Sequence, residues 1–270
     1  MRGRPWFAGL ALVALALAIA FLIIPVVAVF TNAGPGELVS ALGSEGAREA
    51  LWLSLRTSLA AVAIIVCVGT PAAYFLATHG FRGRSLVLTL IELPLVMPPA
   101  VAGIALLAAF GPNGILGGAI ADAGIQLVFE TAGVIVALIF VAGPFYMRAA
   151  VAAFAALDAS SLEASRTLGA GPGRTFMRVA IPDARGGLAA GLALAWGRAL
   201  GEFGATLMFA GSFPGITRTA SLEIFAVFNT PPNGFTAALA LSGVLLAVSG
   251  ALLLTVKLVT GERALDGRGT

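Results

Sequence analysis

The segment Leu157-Asp158-Ala159-Ser160-Ser161-Leu162-Glu163-Ala164-Ser165-Arg166-Thr167-Leu168-Gly169-Ala170-Gly171-Pro172-Gly173 decides how this chain is read. Asp158 or Ser160 can cap a helix start, because a short side-chain oxygen there accepts an orphan backbone N–H. Glu163 falls in the first turn or so, where a carboxylate is favoured. Gly169 predicts the stop, and Pro172 reinforces it. A second helical stretch, Arg174 to Val179, then leads to Ile181-Pro182. Two short helices around a Gly-rich bend form a compact knob. The run at 169–173 has the look of a phosphate cradle, but no strand precedes it, so it reads as a turn.

Working outward, the knob is flanked by long apolar runs. Of the 270 residues 59% are hydrophobic and 11% charged, and the mean hydropathy is +1.00. A soluble domain carries about 25% charged residues, so a water-facing surface of this size is excluded. Nucleic-acid binding goes with it: 16 basic against 13 acidic residues leave only +3. A single cysteine, Cys67, excludes an internal disulfide and a cysteine-based zinc site, and His79 is the sole histidine.

A membrane-crossing helix needs roughly 20 apolar residues. Such runs occur at 7–30, 55–78, 86–110, 126–150, 187–211 and 235–259, the fourth interrupted by Gly143-Pro144. The expectation is an all-α, polytopic membrane protein with six transmembrane helices in one domain, 1–270. The first run outlasts the apolar core of a signal peptide, about 7–15 residues, and reads as an uncleaved span.

Basic residues orient such a protein. Arg2, Arg4, Arg82, Arg84, Arg148, Arg166, Arg174, Arg178, Arg185, Lys257, Arg263 and Arg268 fall on one side, against Arg48, Arg56 and Arg218 on the other. Both termini and the loop 151–186 are therefore expected in the cytoplasm. The apolar positions Leu157, Leu162, Ala164, Leu168 and Phe176 have little lipid to face there, which suits docking of a soluble partner. Residues 31–54, on the outer side, read as a short amphipathic helix.

Three ionisable groups fall within the runs: Glu92, Arg198 and Glu202. Such groups normally face the protein interior or a pathway. Arg198 and Glu202 are four apart, on one helix face. Gly197 and Gly201, like Gly187 and Gly191, have the spacing that lets helices approach closely. Two readings of the ion pair stay open: a lock between packed helices, or an element beside a translocation path where Arg198 attracts an anion. Pro94, Pro98 and Pro99 follow Glu92 and remove three backbone donors, so this helix must kink or unwind. Broken backbone at membrane depth is tolerated where it is buried or lines a cavity, so a plain kink and a wall of the path are both open.

The knob also resembles the signature of ATP-binding-cassette importer permeases: Glu-Ala-Ala, three residues, Gly, nine residues, Ile, one residue, Leu-Pro. Glu163-Ala164-Ser165, Gly169, Val179 and Ile181-Pro182 stand at those spacings, with Ser165, Val179 and Ile181 as small or isosteric departures. The stretch Arg198-Ala199-Leu200-Gly201-Glu202-Phe203-Gly204-Ala205-Thr206-Leu207, with Pro94 to Pro99 and Pro214 to Thr219, looks like the molybdate/tungstate permeases. The sulfate/thiosulfate permeases share much of it, and the Ala-Thr-Leu and Thr-Arg-Thr pieces favour molybdate.

The resemblance implies a type I importer permease fold in the cell membrane, with the knob as the coupling helix. Glu163, Ala164, Ser165, Gly169, Ala170 and Pro182 would meet the ATPase. It implies a homodimer of permeases among membrane lipid, two cytoplasmic ATPase subunits and an extracytoplasmic oxyanion-binding protein. No cofactor is expected on this chain, and ATP and Mg belong to the partner. The residues agree on that point: Lys257 is the only lysine, so no phosphate-cradling loop ending in Gly-Lys-Ser/Thr can form. A stand-alone ion-coupled carrier would suit Glu92 and the broken third span but leaves the knob unexplained. An intramembrane hydrolase lacks both its histidine and its aspartate pair.

Overall fold

The computed structural model describes residues 5–232 and 234–260, and these form helices and turns with no strand. The chain runs α1 (Pro5–Asn32), α2 (Pro35–Gly43), α3 (Glu45–Thr78), α4 (Arg84–Val96), α5 (Pro99–Phe110), α6 (Gly117–Asp122), α7 (Thr131–Ala155), α8 (Ala159–Thr167) and α9 (Pro172–Thr175). A π turn (Phe176–Ala180) then leads into α10 (Ile181–Leu200), α11 (Gly204–Ala210), α12 (Ala220–Phe228) and α13 (Gly234–Thr260). The terminal residues Arg2, Arg4, Arg263 and Arg268, which entered the orientation argument, lie outside the described residues, as does the side chain of Lys257.

Four of these helices are long and apolar enough to cross a membrane: α1, α3, α7 and α13. The third expected run is α4 and α5, which together pass the same test but meet at a bend of 119°. That is the consequence of Met97-Pro98-Pro99: Pro98 caps α5, and Pro99 starts it where its missing donor costs nothing. The expectation of six continuous spans needs correction at 187–211. Helix α10 begins earlier, at Ile181, and stops at Leu200, and Gly201-Glu202-Phe203 separates it from α11. By contrast α7 passes straight through Gly143-Pro144. Pro144 is buried there, and packing on both sides outweighs one lost hydrogen bond.

Helices α3, α7 and α10 form the centre. Small residues set their spacing: a Cβ added to Gly187 would lie 2.5 Å from the Ala153 Cβ, and one on Gly191 2.8 Å from that of Ala149. Gly69 of α3 likewise faces the Tyr146 ring at 3.1 Å. The Gly197–Gly201 pair differs from expectation, since a Cβ added to Gly197 would meet no neighbouring helix within 4 Å and Gly201 is exposed. Polar atoms in this core are paired: Thr70 and Tyr146 share a hydrogen bond of 2.6 Å, and Trp196 Nε1 donates to Ser58 Oγ at 3.1 Å.

The expected amphipathic segment 31–54 divides in two. Pro35–Gly43 is a helix whose Glu37 carboxylate accepts from Gly34 N at 2.9 Å, and α3 begins at Glu45, ten residues before the apolar run does. Helix α1 stands apart. None of its most apolar stretch is buried, and Val29 and Phe30 at its end approach Gly243 of α13.

Candidate functional site

Two features carry the candidate chemistry, one at each break in the regular helices. The first is the knob. Asp158 caps α8, its Oδ1 accepting from Ser160 N at 2.9 Å and its Oδ2 from Ser160 Oγ at 2.7 Å. These two bonds hold the Asp158 carboxyl below the usual carboxylate range, the hydroxyl bond contributing most. Helix α8 ends as the sequence predicts. Gly169 N donates to Arg166 O and Ala170 N to Ser165 O, the paired bonds of a Schellman motif. Gly169 sits at φ +80°, a conformation that side chains rarely adopt.

Glu163, Ala164, Gly169 and Pro182 are exposed, and Ser165 and Ala170 are half-buried. Leu168 projects with 87% of its surface exposed. An open hollow of about 460 Å³ beside it is lined by Ala164, Ser165, Leu168, Ala170, Arg174 and Arg178. Of the other apolar positions, Leu157, Leu162 and Phe176 pack against the core and anchor the knob. Glu163 is the fifth residue of α8, just beyond its first turn.

The second feature is a pair of helix breaks held side by side. Gly204, which opens α11, faces Pro99, which opens α5: an added Cβ would lie 2.6 Å from the Pro99 Cβ. One turn on, Gly103 faces Met208 and the Ala205 carbonyl, at 2.5 and 2.8 Å by the same measure. Ala102 and Ala205 then pack on Val141 of α7. The expected wall at Pro98-Pro99 and the break at Gly201–Phe203 are therefore one structural unit.

Glu202 holds the second break. Its side chain is 1% exposed and pairs with Arg198, which is 28% exposed, at 2.5 Å. Its Oε1 accepts from Ala205 N at 2.7 Å, capping α11. Across the gap, Ser221 Oγ donates to the carbonyl of Leu200, the last residue of α10. An apolar cavity of about 490 Å³ lies alongside, walled by Phe203, Phe225, Phe228 and Phe235. Its polar lining consists of Ser221 and Ser242, so it offers an anion no charged partner.

Glu92 does not join this pair. It lies 3.8 Å from Arg148, with the two side chains 45% and 70% exposed, so it belongs with the knob-side end of α7. Pro94 sits within α4 below the bend and does not break it.

Sequence reasoning missed a polar knot at the opposite end. Arg218 donates to Ser212 Oγ and Ser212 O, each at 3.1 Å, and to Glu223 at 3.4 Å. It also missed Ser54, whose Oγ accepts from Ala220 N at 2.7 Å. A signal was available: Ser54, Ser58, Ala61, Ile65, Gly69, Ala73 and Leu76 follow a three-to-four spacing and are all buried. Among the described residues there is no cluster of three or more His, Cys, Asp or Glu that could hold a metal ion.

Comparison with known proteins agrees with this architecture. The chain is 41% identical over 239 residues to the molybdenum transport system permease protein ModB of Mycobacterium tuberculosis, covering 88% of this chain and 89% of that one. It is 37% identical to the probable transport system permease protein NifC of Clostridium pasteurianum, covering 88% and 82%. It is 36% identical to the sulfate transport system permease protein CysW of Synechocystis, covering 93% and 92%. Its fold matches a chain of a bacterial alginate ABC transporter crystallised with an alginate-bound periplasmic protein. That match has a TM-score of 0.77 and 17% identity, and covers 98% of this chain and 96% of the other. Residues 65–256 match the family model of the binding-protein-dependent transport system inner membrane component, and the chain belongs to that family of ABC importer permeases.

Proposed function

We propose that this chain is the membrane-spanning half of an ATP-driven importer for a tetrahedral oxyanion, with molybdate or tungstate as substrate. Two copies form the path, two ATPase subunits dock on the knobs from the cytoplasm, and an extracytoplasmic oxyanion-binding protein delivers the anion. Both termini then lie in the cytoplasm. The observation that carries this reading is the knob: a capped helix that presents Glu163, Ala164, Leu168 and Gly169 outward.

In this reading the paired breaks form the moving wall of the path. Glu202 holds Arg198 in one orientation, and Arg198 keeps enough exposure to meet an anion. ATP binding and the loaded binding protein bias two packings of the same helices. The chain supplies no covalent chemistry. Hydrolysis and its Mg belong to the partner.

The 41% relative named for molybdenum supports molybdate. The 36% relative named for sulfate supports a second reading, a sulfate or thiosulfate permease. Uptake of labelled molybdate by the reconstituted complex, in competition with unlabelled tungstate and sulfate, separates them. Tungstate at parity should halve the signal while sulfate at parity leaves it intact. Suppression by sulfate at parity would contradict the assignment.

A further inference from the structure

We propose that the π turn Phe176–Ala180 is a register joint between the knob and α10, a one-residue surplus through which the knob moves without unpacking either side. The proposal rests on the coupling role given to the knob above. The turn closes with Ile181 N–H donating to the Phe176 carbonyl, five residues back. An α-helix closes over four, so the chain here carries one residue more than the helix needs. The backbone stays helical throughout: Thr175 lies at φ −60°, ψ −46° and Ile181 at φ −64°, ψ −49°. The knob is therefore joined to α10 by a continuous but slack helix, not by a loop.

Both sides of the turn are stiff. On the knob side, Ser165 Oγ and Thr175 Oγ1 lie 3.0 Å apart, and Thr175 is buried, so α8 and α9 move as one piece. On the other side, the close contacts of Gly187 with Ala153 and of Gly191 with Ala149 fix α10 to α7. Motion between the two bodies concentrates in the turn that joins them, where a five-residue closure interrupts the four-residue pattern. Phe176 marks the pivot, its ring 4.9 Å from that of Tyr74 and 6.2 Å from that of Phe154. Met177, 62% exposed, and Arg178 point away from the core and leave the turn room to change. Passing the surplus residue along the helix by one position rotates the segment crossed by about 100° and shifts it by about 1.5 Å. Register changes of this kind belong to the known repertoire of switches.

Deletion of Met177 tests the joint. It leaves an ordinary α turn between the same two bodies, keeping their orientation and removing the slack; Met177→Ala keeps the slack and serves as control. The readouts are retention of the ATPase subunit on the purified permease and substrate transported per ATP hydrolysed in proteoliposomes. The expected result is that the deletion variant holds the ATPase and hydrolyses ATP but loses most of its transport per ATP, while Met177→Ala behaves as wild type. Wild-type transport per ATP in the deletion variant would overturn the joint and leave the coupling role standing.

A second measurement covers the case in which the deletion variant fails to assemble. Spin labels at Thr167→Cys and Ala190→Cys, in a Cys67→Ser background of otherwise unaltered complex, report the distance from knob to α10. It should change between the nucleotide-free and vanadate-trapped states, and an unchanged distance overturns the joint. If the wild-type chain neither retains nor responds to an ATPase, the function proposed above fails instead.

Discussion

Glu202 joins three things that a packed interior rarely allows together: a buried charge, a helix end and a break in the chain. One carboxylate oxygen meets Arg198 and the other caps α11 through Ala205 N. Removing one partner of a buried pair costs about 3–5 kcal/mol, and the 28% exposure of Arg198 places this pair towards the low end. Glu202→Ala should therefore lower thermal stability in detergent markedly. Glu202→Gln keeps an acceptor for Ala205 N but loses the charge opposite Arg198, so it should unfold between Glu202→Ala and wild type and lose anion uptake. Wild-type stability of both variants would show that the pair holds nothing. At the knob, Gly169→Ala forces a side chain into the left-handed region, costing about 1–2 kcal/mol, and ATPase retention should fall.

Asp158 gives a pH dependence with a definite sign. Its carboxyl is held below the ordinary value by the Ser160 hydroxyl and backbone N–H. The cap is at full strength above that ordinary value, about 3.9, and is lost as pH falls through the lowered one. Amide exchange across α8 should accelerate over that acid range, and Asp158→Asn should abolish the pH dependence.

At the scale of elements, glycines set how closely helices pack. Gly187→Leu would press a side chain into Ala153, an overpacking of about 1–3 kcal/mol or more, and should lower the unfolding midpoint. Gly173→Ala meets nothing within 4 Å and should leave the midpoint unchanged. The same contrast explains what the sequence made legible. Apolar length found the runs that became α1, α3, α7 and α13, because long helices need only length and composition. Capping chemistry found α8 to within a residue, because Asp158 and Gly169 act locally. The three prolines found the bend at Met97–Pro98. The break at Gly201–Phe203 was not legible, because the Arg198–Glu202 spacing fits an unbroken helix equally well. Only the approach of Gly204 to Pro99 shows why the chain opens there. Glu92 reads from the sequence as an acid in an apolar run, and the partner that it meets on α7, Arg148, shows only in the fold.

The whole molecule is polarised. Arg148, Arg166, Arg174, Arg178 and Arg185 gather on and around the knob, while Arg218 is tied to Ser212 and Glu223 at the opposite end. Between those ends lie the central helices and the paired breaks. Such an arrangement suits a device that takes its input at one end and changes packing in the middle. With the knob as the docking point of the proposed function, this chain should move its substrate only when an ATPase drives it. Uptake into proteoliposomes measures that dependence. The chain should import oxyanion only with its ATPase partner, ATP and the binding protein all present. Accumulation by the chain alone under an ion gradient would contradict it.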